Sequence, residues 1–258
     1  MTVSDRTRTV AVAVTALAQA VVGLGAQFLV DADSSTGAIS DDYRSPVTPA
    51  GYAFSIWGLI YLACLALAVY QALPAQHSRE VHRRTGWWLS AAFAAAAVWV
   101  PIFATRTLWL AQFVILGLLV CLVVAVRGLV RSGPAADRRE QFALRLPITL
   151  YLGWVTLATA AGFGTTFRSF GLAEEGTATT LVSLLLVLAA TVFSVVVVGR
   201  FVAVAAFTFT AGWALLAIVV ASSSLAVKVA AVAGLALVLA VLVVRTGRSR
   251  RKATVLLG

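Results

Sequence analysis

What most limits the fold of this chain is a series of apolar runs too long for a soluble core. Eight nearly charge-free segments lie at about 10–30, 51–73, 86–105, 107–130, 144–165, 178–199, 201–221 and 225–244. A helix rises ~1.5 Å per residue, so about 20 apolar residues cross a ~30 Å hydrocarbon core. The run from Leu181 to Ser224 is too long for one crossing and must turn. Gly199-Arg200 is the only polar or flexible point near its middle. Hydrophobic residues make up 61% of the chain and charged residues 12%, whereas soluble domains carry about 25% charged residues. The expected fold class is an all-α polytopic membrane protein with about eight transmembrane helices.

The net charge of +10 then sets topology rather than pointing to nucleic acid. With the N-terminus in the cytoplasm, sixteen of the 20 Lys and Arg residues fall in cytoplasmic segments; Arg44, Arg106, Arg168 and Lys228 fall outside. That is a clear positive-inside bias, and an even number of spans puts both termini inside. Asp31, Asp33, Asp41, Asp42, Glu174 and Glu175 all lie on the outer side. The first span resembles a signal peptide in its preceding arginines, but its apolar stretch exceeds the 7–15 residues of a signal core. It is expected to be retained. The tail "RTGRSRRK" can meet anionic head groups or serve as a plain stop-transfer anchor.

What the spans lack narrows function. No Asp or Glu lies inside any of them, which argues against ion-coupled transport or proton pumping. Their Gln, Ser and Thr residues can be satisfied by helix carbonyls or a neighbouring helix. His77 and His82, the only histidines, share a basic loop with no third ligand in view, so no metal site is expected. No histidine sits in the membrane to ligate haem iron. Cys64 and Cys121 read as small apolar fillers. No phosphate loop, nucleophile elbow or nucleotide fingerprint occurs, so no catalytic residue can be named and an enzyme is not expected.

The aromatic residues are unevenly placed. Trp87, Trp88 and Trp109 sit at span ends, as interfacial belts do. Trp99, Trp154 and Trp213 lie well inside. Trp57 is about seven residues from the outer end of its span, ~9 Å deep at 1.5 Å per residue. The stretch "TPAGYAFSIWGLIY" (Thr48–Tyr61) gathers Tyr52, Phe54, Trp57 and Tyr61, the last three at spacings of three and four that share a helix face. Trp99 and Phe103 do the same on the third span, and Tyr151, Trp154 and Ala158 on the fifth. The three faces can converge in the outer half of a bundle, either packed shut or around a ligand. Thr48-Pro49 reads as an N-cap followed by proline at the first helical position. The outer loop 31–50 is long enough for a lid or a connector. Pro101 should bend the third span and widen the space beside Trp99.

At these residues the chain resembles the TspO/MBR family, the tryptophan-rich sensory proteins related to the mitochondrial translocator protein. "TPAGYAFSIWGLIYLACLALAVY" is similar to the family's proline and Trp-x-x-x-Tyr second helix. "AVWVPIFATRTLWLAQFVILGLL" is similar to its third helix, turn and fourth helix, and "LPITLYLGWVTLATAAG" to its fifth. Tyr52 stands where the family has tryptophan, Ala96 where it has asparagine, and Ala161-Gly162 where it has Leu-Asn. The resemblance covers about 10–166. It implies a five-helix core, extended by three helices over 167–244 in a longer branch and followed by a basic tail at 245–258.

It further implies a flat apolar ligand, a porphyrin or sterol-like lipid, held for sensing, regulation or transport. Tyr52, Phe54, Trp57, Tyr61, Trp99, Phe103, Tyr151 and Trp154 are the expected ligand-binding residues. Any porphyrin would be non-covalent, without an axial histidine. A sterol-contact pattern runs through Arg145, Tyr151 and Val155. The expected partners are membrane lipid and an apolar small molecule, with no nucleic acid; a homodimer stays open. Alternatives are a permease without a coupling carboxylate, and light-dependent porphyrin breakdown through the tryptophans.

Overall fold

The computed structural model describes residues 3–28 and 35–258. Residues 29–34, including Asp31 and Asp33 of the outer loop, lie outside the described residues. Among the described residues, eight helices are long and apolar enough to span a membrane: α1 (Val3–Phe28), α2 (Ile56–Ala72), α3 (Glu80–Ala104), α4 (Leu108–Arg131), α5 (Leu146–Ser169), α6 (Thr177–Arg200), α7 (Val204–Ala221) and α8 (Leu225–Arg248). A 3₁₀ turn at Gly51–Ser55 leads into α2, and a short helix, Thr36–Asp42, precedes it. No strand occurs among the described residues. The chain is an all-α polytopic membrane protein.

Large apolar side chains such as Leu62, Val69, Leu185 and Val229 point outward. That would be costly in water but suits contact with acyl chains. Thr156, Thr159 and Ser194 donate to the carbonyls of Leu152, Val155 and Ala190, four residues back. These three span hydroxyls are thus satisfied locally, as their sequence context suggests, whereas the buried Thr191 and Thr208 hydroxyls of α6 and α7 have no partner among the described residues.

Helix α5 is the most covered of the eight and α8 the least. In lipid, helices associate through close packing rather than a hydrophobic gradient, and small residues permit it. Gly153 shows how. A Cβ there would lie 2.2 Å from Thr210 Oγ1 and 2.5 Å from the Phe207 carbonyl on α7. The close approach lets Thr210 Oγ1 donate to the Leu150 carbonyl at 2.9 Å. Gly153→Leu is expected to wedge α7 from α5 and cost about 1–3 kcal/mol. A detergent melting curve checks this; an unchanged midpoint would mean the contact yields freely.

Helix α7 therefore packs on the core. Its far end also holds the outer segment: Ala50 N–H donates to the Ala217 carbonyl at 3.1 Å. The turn expected at Gly199-Arg200 is present, with α6 ending at Arg200 and α7 starting at Val204.

Two expectations need correction. Helical structure after the outer loop begins at Gly51, with Ala50 as an N-cap offering no side-chain bond. Thr48 is not the cap because its Oγ1 accepts from the Ser45 N–H at 2.9 Å and its own N–H returns to the Ser45 carbonyl. Helix α3 begins at Glu80 rather than 86. Its polar first turns are held by ion pairs that hydropathy does not register: Arg83 with Asp5 of α1, and Glu80 with Arg84.

Candidate functional site

The site is assembled at the end of the bundle opposite the arginine-rich loops. Trp57 is its hub. Its ring stacks on Tyr61 with centroids 5.6 Å apart, lies 5.8 Å from Trp99, and meets Tyr151 and Trp154 edge-on at 5.9 Å each. Phe103 stacks on Trp99 at 4.8 Å, and Phe54 meets Trp154 edge-on at 6.0 Å. Spacing of three and four residues placed these rings on single faces, and the alternating helix directions bring the faces together.

The rings border a largely enclosed, mainly apolar cavity. Phe54, Trp57, Trp99, Phe103 and Trp154 line it, with Leu157, Ala158, Ala161, Gly162 and Thr165 of α5. Thr36, Ser40, Thr48 and Pro49 from the outer segment line it as well, and Ala214 and Ile218 come from α7. Its open volume is about 30 Å³, room for a water molecule and far below a drug-sized pocket of ~300–1,000 Å³. The aromatic faces have therefore mostly packed against one another. Phe103 and Trp57 pack on Trp99 and leave little of the space expected beside it from Pro101, and α3 runs through Pro101 to Ala104.

Three of the expected residues stand elsewhere. Tyr52 is half exposed and packs edge-on against Trp213 of α7, whose indole N–H donates to the Ala53 carbonyl at 3.2 Å. Tyr61 and Tyr151 lie behind Trp57, away from the cavity lining. Tyr151 O–H donates to Gln19 Oε1 at 3.3 Å, a buried polar contact on the far side of Trp57. The sterol-contact pattern presents no face to lipid, because Arg145, Tyr151 and Val155 are all fully buried.

Ala214, Ile218, Thr36 and Ser40 carried no recognisable sequence signal. The first two lie in a uniformly apolar helix and the others in a polar loop, where periodicity is silent. One side chain in the lining stands out: Trp154 is buried, and its Nε1–H has no acceptor among the described residues. Buried indole N–H groups usually find one. No group of three or more His, Cys, Asp or Glu side chains able to hold a metal occurs among the described residues.

Comparison with known proteins adds one match. The model of the family described as TSPO-like protein covers residues 9–244. No curated protein and no solved structure matches. The matched region runs from α1 almost to the end of α8, so it includes the three later helices as well as the aromatic cluster. The chain belongs to the TSPO-like protein family.

Proposed function

We propose that this TSPO-like membrane protein binds a flat apolar ligand, a tetrapyrrole or a sterol-like lipid, in the cavity beside Trp57, and does so for sensing, regulation or transport. The observation that carries this reading is an enclosed apolar cavity walled by three tryptophans, one of which, Trp154, has a buried N–H with no acceptor among the described residues. Ala161 and Gly162, where the family pattern has Leu-Asn, make that wall small and apolar. A ligand larger than a few atoms enters only if the lining opens. The outer segment is the natural lid, since Thr36, Ser40, Thr48 and Pro49 form part of the lining. The bias of arginines to one end supports an orientation with both termini in the cytoplasm and the cavity toward the outer face of the cell membrane.

Titration of the purified protein with protoporphyrin is the test. Stacking on Trp57, Trp99 or Trp154 should give saturable quenching of tryptophan fluorescence. Trp154→Phe keeps the ring but removes the donor, so affinity should fall several-fold, as loss of a hydrogen bond worth ~0.5–1.5 kcal/mol implies. A non-saturable signal with protoporphyrin would eliminate the tetrapyrrole. The same absence with a fluorescent sterol would eliminate the site.

A further inference from the structure

The arginine-rich end of the bundle divides into two electrostatic regions. Around α1, α3 and α5 the acids are engaged: Asp5 with Arg8 and Arg83, Glu80 with Arg84, and Glu140 with Arg79 and Arg145. Asp137 accepts the Glu140 N–H. Arg6, Arg127, Arg131, Arg138 and Arg139 carry no ion pair there among the described residues, but the ends of α6 and α8 lack acids altogether, since no Asp or Glu follows Glu175. Arg200, Arg245, Arg248, Arg250, Arg251 and Lys252 have no ion-pair partner among the described residues.

Between α6 and α8, beneath this unneutralised charge, runs an open groove of about 520 Å³. Gly199, Ala240, Val241 and Val244 line its apolar part, and Arg245, Arg248 and Ser249 its polar part. The groove has free space beside Gly199: a Cβ there would meet only Val241 Cγ1, at 4.0 Å. The Arg245 guanidinium is fixed at the lip. Its Nη1 donates to the carbonyls of Val198 and Phe201, at the end of α6. Of its five N–H donors, those on Nε and Nη2 have no acceptor among the described residues. Helix α8 is the least covered of the spans, so the apolar part of the groove opens toward lipid.

We propose that this groove binds an anionic phospholipid, with the phosphate at Arg245 and Arg248 and an acyl chain along Gly199, Ala240, Val241 and Val244. Charge complementarity selects the head group, and the apolar floor selects a lipid over a soluble anion. Basic pockets between helices at the cytoplasmic leaflet, where anionic lipids concentrate, suit this chemistry. The site is separate from the aromatic cavity and does not depend on its ligand.

The test is thermal unfolding of the purified full chain in non-ionic detergent with added phosphatidylglycerol, phosphatidylcholine or inorganic phosphate. Phosphatidylglycerol should raise the Tm by several degrees; the other two should not. Arg248→Gln should raise the half-saturating phosphatidylglycerol concentration about fivefold, the equivalent of ~1 kcal/mol per charge. Gly199→Leu fills the groove without removing charge and should abolish the shift. Neither change should alter protoporphyrin quenching. Equal stabilisation by phosphatidylcholine or by phosphate alone would overturn the proposal. So would an unchanged phosphatidylglycerol response in Arg248→Gln, an exposed position whose variant is expected to fold.

Discussion

Glu140→Ala is expected to destabilise the protein by about 3–5 kcal/mol, the range for breaking a buried ion pair from one side. Glu140 and Arg145 have side chains 2% and 0% exposed. Glu140 Oε1 accepts from Arg145 Nε at 2.8 Å and Nη2 at 2.6 Å, while Oε2 accepts from Arg79 and from the Ala136 N–H. The two residues are five apart, a spacing that does not align on a regular α-helix, where positions three and four apart share a face. A π-helical turn at Gln141–Arg145 widens the backbone at this point. Without Glu140 the Arg145 guanidinium stays buried with only the Gly133 carbonyl, and Arg79 loses its carboxylate.

The decisive comparison uses three variants. Glu140→Ala and Arg145→Leu should each lower the melting midpoint sharply in detergent. The double change Glu140→Leu/Arg145→Leu should cost less than the sum, because neither charge is then stranded. Additive losses would show that the two groups act independently.

That cluster also marks the limit of what was legible in the sequence. The eight spans were readable because each is a long apolar run, and the turn at Gly199-Arg200 because a single helix could not cover the distance. The convergence of Trp57, Trp99 and Trp154 was readable because aromatic residues three or four apart fix a face. The ionic cluster was not. Asp5 and Glu140 meet Arg83 and Arg79 across 78 and 61 residues, and charge counting treats those arginines only as topological markers. The place of α7 in the cavity wall was hidden for another reason. Its contacts with α5 depend on Gly153 and Thr210, on shape rather than hydropathy. The basic tail reads in sequence as a head-group contact or a stop-transfer anchor, yet its helix Lys252–Leu257 turns back, buries Val255, and lets the Ala135 N–H donate to the Gly258 carbonyl at 2.9 Å. The openness of the cavity lies deeper still, because ångström-scale ring packing decides whether three aromatic faces leave 30 Å³ or several hundred.

Trp57→Ala tests that packing most directly. Trp57 is 3% exposed and its ring contacts Tyr61, Trp99, Tyr151 and Trp154. Truncating a buried tryptophan costs about 3–5 kcal/mol, the larger part where neighbours cannot collapse into the gap. Collapse is difficult here: Tyr151 is tied to Gln19, and Tyr61 lies against Gly23, where a Cβ would approach its ring to 2.3 Å. Trp57→Phe retains an aromatic face and should cost markedly less. The pair of variants separates packing from ligand binding. If the cavity beside Trp57 is the ligand site, the vacated volume in Trp57→Ala adjoins it, and a small flat aromatic such as indole should raise that variant's melting midpoint while leaving the parent protein unchanged. A midpoint in Trp57→Ala within a degree or two of the parent's would mean that the ring cluster contributes little to stability. Rescue of both proteins alike would place the added aromatic somewhere other than the space that Trp57 fills.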